Sequence, residues 1–406
     1  MGQTEHEDEG RADMEMAGCS AWRYHIQPMN KQPANNAAKA NKVNLIKLSA
    51  DVHKRDYKIS RQVGDQHIQP AQVFKPEEAY DWALKQVELA ERVVFCYEAG
   101  FSGFSLARRL QAQGVEPVVI APQNLDERCK RVNTDRRDCR AIASRLDRFL
   151  AGNEEALVKV RIPTVKEEDE RAVCRQRAQM MKARKQFEAQ GRSLLMFKGL
   201  HCPGHWWRNS EEGWKQTVGK ENWPAEVVAL LEVYRRMALA SEREILALSD
   251  KLERAAVENL PPTLPVLPNG FGALSMEILR REVCDWNRFK NRGNVGSFFG
   301  MCCAESSSGR QQNQGSITKS GNPRGRHALI ELAWRAVHFQ PEYWLVKKFS
   351  PRIERTRPRS VARKKLIVAM GRLMAVDLWR LYTGQTTAEK LGLRTRPTKE
   401  YVLESA

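Results

Sequence analysis

Apolar positions along this chain switch between strand-like and helical spacing, and the switches mark its elements. From Val43, VNLIKLSAD is a short apolar run, and RDYKISRQV follows at hairpin distance. PEEAYDWALKQVELAE has a helical pattern and leads into RVVFCYEAG, an apolar run of buried-strand type ending in a charged residue and a glycine. SGFSLARRLQAQG reads as a helix closed by glycine, and EPVVIAP as another buried strand. Alternation of strand, helix and strand to about residue 150 predicts an α/β domain. A hairpin followed by βα units is the order of the ribonuclease-H-like arrangement.

Residues 164–258 change to helical spacing. EEDERAVCRQRAQMMKARKQFEAQGRSLLMF forms one long, charge-laced helix and PAEVVALLEVYRRMALASEREILALSDKLERAA another. In the second, Val227, Leu230, Tyr234, Met237, Ile245, Leu248 and Leu252 make a stripe suited to an antiparallel helical pair or coiled coil. The tryptophans of the intervening HCPGHWWRNSEEGW read as hinge packing. PPTLPVLPNG then breaks the helical region, and Leu267-Pro-Asn-Gly270-Phe-Gly272 is a turn whose N–H groups could hold a phosphate. KKLIVAMGRLMAVDLWRLY is an amphipathic helix near the end. The leading segment is acidic, then rich in Asn, Gln and Ala, without periodicity, and reads as disordered. The resulting division is a disordered extension (1–41), an α/β domain (42–152), a helical, coiled-coil region (153–261), a mostly α domain (262–385) and a basic tail (386–406).

Charge narrows the partner. The 406 residues carry 67 Lys and Arg against 49 Asp and Glu, a net +18, and a polyanion, nucleic acid above all, is the partner this implies. The plainer reading is a ribosome-associated or merely basic protein. Residues 351–400 hold 13 Lys and Arg against four acids, so half the net charge lies in an eighth of the chain. Mean hydropathy is −0.58, and no run of about 18 uncharged apolar residues exists to span a membrane. The start lacks the apolar core of a secretory signal. Nine cysteines without a CxxC pair read as reduced thiols, mostly in cores, of a protein in a reducing cytoplasm. His201-Cys202-Pro-Gly-His205 looks like half a zinc site, but without a second pair it reads as a structural turn.

Two clusters carry candidate chemistry. Asp51 ends the first strand and Glu98 the fourth, so both emerge at a sheet edge. Asp135 and Asp138 lie in NTDRRDCRAIASRL, one helical turn apart on a shared face. Carboxylates gathered in this way repel one another unless divalent cations neutralise them. Hard oxygen ligands select Mg²⁺ or Mn²⁺, and two such ions stabilise the attacking and leaving oxygens of phosphoryl transfer. Singly, Asp51 could be a turn residue, Glu98 a helix N-terminal charge, and Asp135 and Asp138 surface partners of Arg136, Arg137 and Arg140. The second cluster is the loop Glu305-Ser306-Ser307-Ser308-Gly309, flanked by Arg310, Lys319, Arg324 and Arg326, cations able to bind phosphate beside a hydroxyl nucleophile. No histidine stands by as a base, which disfavours a protease-like triad. Arg363, Lys364 and Lys365 are further candidates for nucleic-acid contact.

These clusters, in this order, resemble the DEDD transposases of insertion-sequence family one-hundred-ten, kin to the pilin-gene invertases. The matching pieces are SADVHK at Asp51, CYEAGFSG at Glu98, NTDRRDCRAIA at Asp135 and Asp138, and FKNRGNVGSFFGMCCAESSSG. ITKSGNPRGRHALIELAWRAV and RKKLIVAMGRLMAVDLWRLYTG follow, and the likeness covers roughly residues 43–385. It implies a RuvC-like (ribonuclease-H-fold) domain, a coiled-coil region and a C-terminal transposase domain. It further implies Mg²⁺-dependent DNA recombination guided by a structured bridge RNA, in a homodimer assembling to a homotetramer on donor and target DNA. Composite active sites would pair one subunit's Asp51, Glu98, Asp135 and Asp138 with another's serine. Ser308, directly before Gly309, is the serine carried over, with Ser307 the neighbouring register. Asn269 departs from the family's proline in the Pro-Gly-x-Gly turn. The rivals are a structure-selective, RuvC-like nuclease that uses water, and a non-catalytic nucleic-acid-binding regulator.

Overall fold

The computed structural model describes residues 42–100, 102–122, 135–308 and 311–395. The extension 1–41 and the end of the basic tail, 396–406, lie outside the described residues. The chain divides into two compact units at Val160/Arg161.

In the first unit β1 (Val43–Val52) and β2 (Tyr57–Val63) form the expected hairpin, and β3 (Gln72–Phe74) adds a short edge strand. Helix α1 (Pro76–Leu89), β4 (Ala90–Glu98), α2 (Ser105–Ala112), β5 (Glu116–Ile120) and α3 (Asp135–Leu150) follow. The sheet has five strands in the order β3-β2-β1-β4-β5. β1, β2 and β3 pair antiparallel, whereas β4 lies parallel to β1 and β5 parallel to β4. This mixed sheet is compatible with the ribonuclease-H-like arrangement. The central strands are buried on both faces, as Ile46, Leu48, Ala50, Val94, Cys96, Val118 and Ile120 show, which is why they read as continuous apolar runs rather than alternating ones.

The second unit opens with α4 (Val165–Phe197), started by a capping box in which Thr164 Oγ1 accepts from the Glu167 N–H. After α5 (Glu211–Glu221) comes α6 (Ala225–Glu258). Arg177 Nε donates to Ser249 Oγ at 2.7 Å and Arg184 meets Glu242 at 3.3 Å, so α4 and α6 run antiparallel. The seam differs from the stripe read in the sequence. Leu231, Ala238, Ile245 and Leu252, seven residues apart, are buried, while Leu230 and Met237 are 53% and 47% exposed. Small residues such as Ala238 and Ser241 let the helices approach, and a count of large apolar residues passes over them. Trp206, Trp207, Trp214 and Trp223 are buried together at this end of the pair, so they are packing residues, as expected.

The remaining elements are α7 (Ala273–Val283), α8 (Arg292–Phe298), β6 (Cys303–Ser308), β7 (Gln311–Ile317), α9 (Pro323–Phe339), α10 (Trp344–Glu354) and α11 (Val361–Tyr382). The helices share one core, centred on Leu329, Leu332, Met370 and Met374. β6 and β7 form a separate two-stranded sheet. Among the described residues no helix is long and apolar enough to cross a membrane.

Candidate catalytic site

Parallel pairing of β1 and β4 brings the first two acids together. The ladder runs to Ala50 opposite Tyr97, so the next step sets Asp51 beside Glu98 at the ends of neighbouring strands. Asp51 also faces Lys58 across β2, and its Oδ2 lies 3.0 Å from His53 Nε2. The Asp51 side chain is 21% exposed, so it is held yet open to solvent. Glu98 pairs with Ile120 of β5, and the Ala99 N–H donates to the Ile120 carbonyl at 2.8 Å, which ends the strand at the acid.

Helix α3 packs against β1 and β2, and Cys139 fixes where it docks. The Cys139 thiol donates to the Lys58 carbonyl at 3.0 Å, on the same rung as Asp51. Burial pushes this thiol up to about 12, with the charges of Asp51 and Asp138 adding to the shift. Asp138 therefore stands in the first turn of a helix fastened at Asp51's own ladder position. The side chain of Asp135, the first residue of α3, lies outside the described residues. Among the described residues, no three His, Cys, Asp or Glu side chains converge closely enough to hold a metal ion. Sequence reasoning missed Cys139, Lys58 and His53. Only His53 left a signal, two residues after Asp51.

The serines do not form the loop expected of them. Ser306, Ser307 and Ser308 belong to β6, with Ser308 paired to Gln311 of β7. The serine side chains are outside the described residues, as are Gly309 and Arg310. Ser308 is the last residue of β6, and Gln311 the first of β7.

The hairpin root is heavily tied. The Thr318 N–H donates to the Cys302 carbonyl at 2.9 Å, the Lys319 N–H to Gly300 at 3.1 Å, and the Asn322 N–H to Phe298 at 2.7 Å. Lys319 is exposed at φ 58°. Arg326 Nη1 donates to the Phe299 and Lys319 carbonyls at 2.9 and 3.2 Å, so this cation braces the root. Arg324 is exposed in the first turn of α9. Lys364 and Lys365 are exposed near the start of α11, and Arg363 lies over the Trp334 ring at 5.8 Å.

Two smaller sequence readings resolve as well. The Asn269 and Phe271 N–H groups already donate to the Arg394 and Pro268 carbonyls, and Gly270 (φ 78°) sits against Phe339. Those two N–H groups of the glycine turn are therefore already committed within the chain. His201 Nδ1 lies 2.8 Å from Glu221 Oε2, and the chain turns at residues 204–207. The described cysteines are all unbridged, but only Cys96, Cys139 and Cys174 are buried.

Comparison with known proteins bears on the unit that carries the serine hairpin. Residues 268–346, from the glycine turn through α7, α8, the hairpin and α9, match the model of the "Transposase IS116/IS110/IS902 family". The chain is 26% identical over 314 residues to y4rJ of Sinorhizobium fredii, provisionally named a transposase, covering 73% of this chain and 79% of that one. It is 29% identical over 255 residues to y4qE of the same organism, also provisionally named a transposase, covering 62% of this chain and 61% of that one. With strand-end acids in one unit and a serine hairpin within the matched segment of the other, the chain is similar to transposases of the IS116/IS110/IS902 family.

Proposed function

We propose that this protein is a transposase, an RNA-guided DNA recombinase that cuts and rejoins strands through a serine nucleophile. The observation that carries the reading is the β1/β4 register, which sets Asp51 beside Glu98 while α3 docks its Asp138 turn on the same rung. Carboxylates grouped at strand ends are costly unless something neutralises them. The donor set is all oxygen, which fits Mg²⁺ or Mn²⁺, and Asp51, Glu98, Asp138 and Asp135 would hold the ions. When bound, such ions neutralise charge at the phosphate and at the leaving oxygen.

Ser308 Oγ attacks the phosphorus of a DNA strand; the Oγ–P bond forms as a P–O bond of the strand breaks. The phosphoserine link conserves the energy of that bond for rejoining. Cations around the hairpin, Arg310, Lys319 and Arg324, draw the phosphate in, and Arg363, Lys364 and Lys365 extend the basic surface toward nucleic acid. A net charge of +18 suits a structured guide RNA bound by shape and phosphate, with target choice delegated to base pairing. Homodimers pairing on donor and target DNA would build composite sites, so that cleavage waits for assembly.

Mixing subunits tests this reading. A Ser308→Ala subunit combined with an Asp51→Ala subunit should restore part of the recombination that each variant alone lacks. Failure of the mixture, with both proteins folded and DNA-bound, would put acids and serine in one subunit. Full activity of Ser308→Ala alone would favour the nuclease that uses water.

A further inference from the structure

The second unit carries an arginine cluster of which the proposed chemistry uses only Arg324. Arg171 and Arg175 lie one turn apart on one face of α4, Arg288 follows α7, and Arg324 opens α9. A buried carboxylate joins these elements: Glu282 Oε2 accepts from Asn322 Nδ2 at 2.7 Å and lies 3.9 Å from Arg171 Nε. Asn322 in turn caps α9, its Oδ1 accepting from the Arg324 and Gly325 N–H groups. Glu282 thereby draws the Arg171 face of α4 to the start of α9, immediately after the serine hairpin.

The cluster is under-served. Arg171 Nε is buried without an acceptor, since Glu282 stands too far off for a hydrogen bond. Arg175 reaches solvent, and partial desolvation with the charges of Arg171 and Arg324 holds its guanidinium below its usual range, against Glu282 and Glu168. Arg288, held over the Phe289 and Phe298 rings at 5.7 and 5.1 Å, is lowered by burial and by Arg161 and Arg171, against Asp285 and Cys284. Arg161 is already committed to Glu167 at 2.8 Å. Arg324 sits where the helix dipole disfavours a cation and favours an anion. Glu168 and Glu282 oppose the charge of Arg175, and Asp285 that of Arg288, while Arg171 Nε keeps no acceptor, a donor that a phosphodiester oxygen would satisfy.

We propose that Arg171, Arg175, Arg288 and Arg324 clamp one backbone phosphodiester of duplex DNA at the root of the serine hairpin. The choice of DNA rests on the proposed function, in which that hairpin carries the nucleophile to the strand being cut; the clamp supplies register, while Ser308 supplies chemistry.

The test is the salt dependence of binding to a duplex of arbitrary sequence, measured by fluorescence anisotropy on the full chain. Arg175 and Arg324 are exposed, so R175Q/R324Q should fold as the parent does, which circular dichroism checks. Its log K against log salt slope should fall by about 0.9, the value of one phosphate contact. R236Q/R243Q, which removes the same charge from exposed positions on α6, should leave the slope unchanged. An unchanged slope for R175Q/R324Q, or an equal fall for both doubles, would overturn the clamp. A fall seen only with a structured RNA of equal length would overturn the assignment to DNA. Ser308→Ala separates the two readings: it should bind with the parent slope, so loss of the covalent chemistry leaves the clamp standing, and a failed clamp leaves the chemistry standing.

Discussion

The Cys139 thiol donates to the Lys58 carbonyl at 3.0 Å, and Lys58 is the cross-strand partner of Asp51. One buried contact thus ties the helix of Asp138 to the strand of Asp51. Cys139→Leu, adding volume at a fully buried position, should cost about 1–3 kcal/mol and reduce strand cleavage by shifting Asp138. Cys139→Ala should keep most cleavage. Urea unfolding beside a cleavage assay checks both; equal cleavage by the two variants would detach the helix position from the chemistry. The same thiol, raised to about 12, should resist thiol reagents at pH 8 in the folded protein, while the exposed Cys303 reacts.

Asp51→Asn and Asp138→Ala should each abolish strand cleavage while preserving salt-sensitive DNA binding, because the basic surfaces of the second unit are untouched. Gel-shift titrations run beside cleavage assays read both quantities. Recombination at the parent rate by Asp138→Ala would remove it from the acid group.

Much of this arrangement is legible in the sequence. Continuous apolar runs in VVFCYE and PVVI, with a charge at the end of the first, reveal buried parallel strands and a strand-end acid. The register that sets Asp51 beside Glu98 is not legible, because it depends on which strands neighbour each other. The serine run misleads because serine is a weak strand former, and its place in β6 comes from pairing with Gln311–Ile317. The arginine cluster is equally hidden: Arg171, Arg288 and Arg324 are far apart in the chain, and a buried Glu282 joins their elements. On α6 the large residues Leu230 and Met237 point outward, whereas Ala238 and Ser241 make the seam.

Gly191 on α4 is a close-approach position. A β-carbon there would lie 2.0 Å from Trp206 Cζ2, and Trp206 is fully buried. Gly191→Ala should therefore destabilise the protein by about 1–3 kcal/mol despite its better helix propensity. Thermal unfolding checks this; a stabilised variant would mean that the tryptophan cluster can move aside.

Asp377 is buried, with its Oδ2 accepting from Tyr343 Oη and Trp344 Nε1, both at 2.7 Å. Burial raises its carboxyl above the ordinary range, against those two hydrogen bonds and Arg380. The folded chain then holds this proton more tightly than the unfolded chain. Its contribution to stability is fullest below the unfolded value, about 4, and is lost as pH rises through the folded value. Asp377→Asn keeps an acceptor without the charge, and should be at least as stable as the parent at pH 7. That margin should vanish as pH falls through the carboxylate range. Denaturant titrations at several pH values check it; a variant much weaker at pH 7 would show that the charge itself is needed.

Mapping the covalent intermediate tests the proposed chemistry most directly. A DNA substrate that traps the cleaved strand is incubated with the full chain, any guide RNA and Mg²⁺; the adduct is digested and sequenced by mass spectrometry. Expected is a nucleotide on Ser308, absent from Ser308→Ala and from Asp51→Asn. A nucleotide on Ser307 would move the nucleophile by one position along β6. Strand cleavage with no protein–DNA adduct under any trapping condition would contradict the serine mechanism and assign the cut to water.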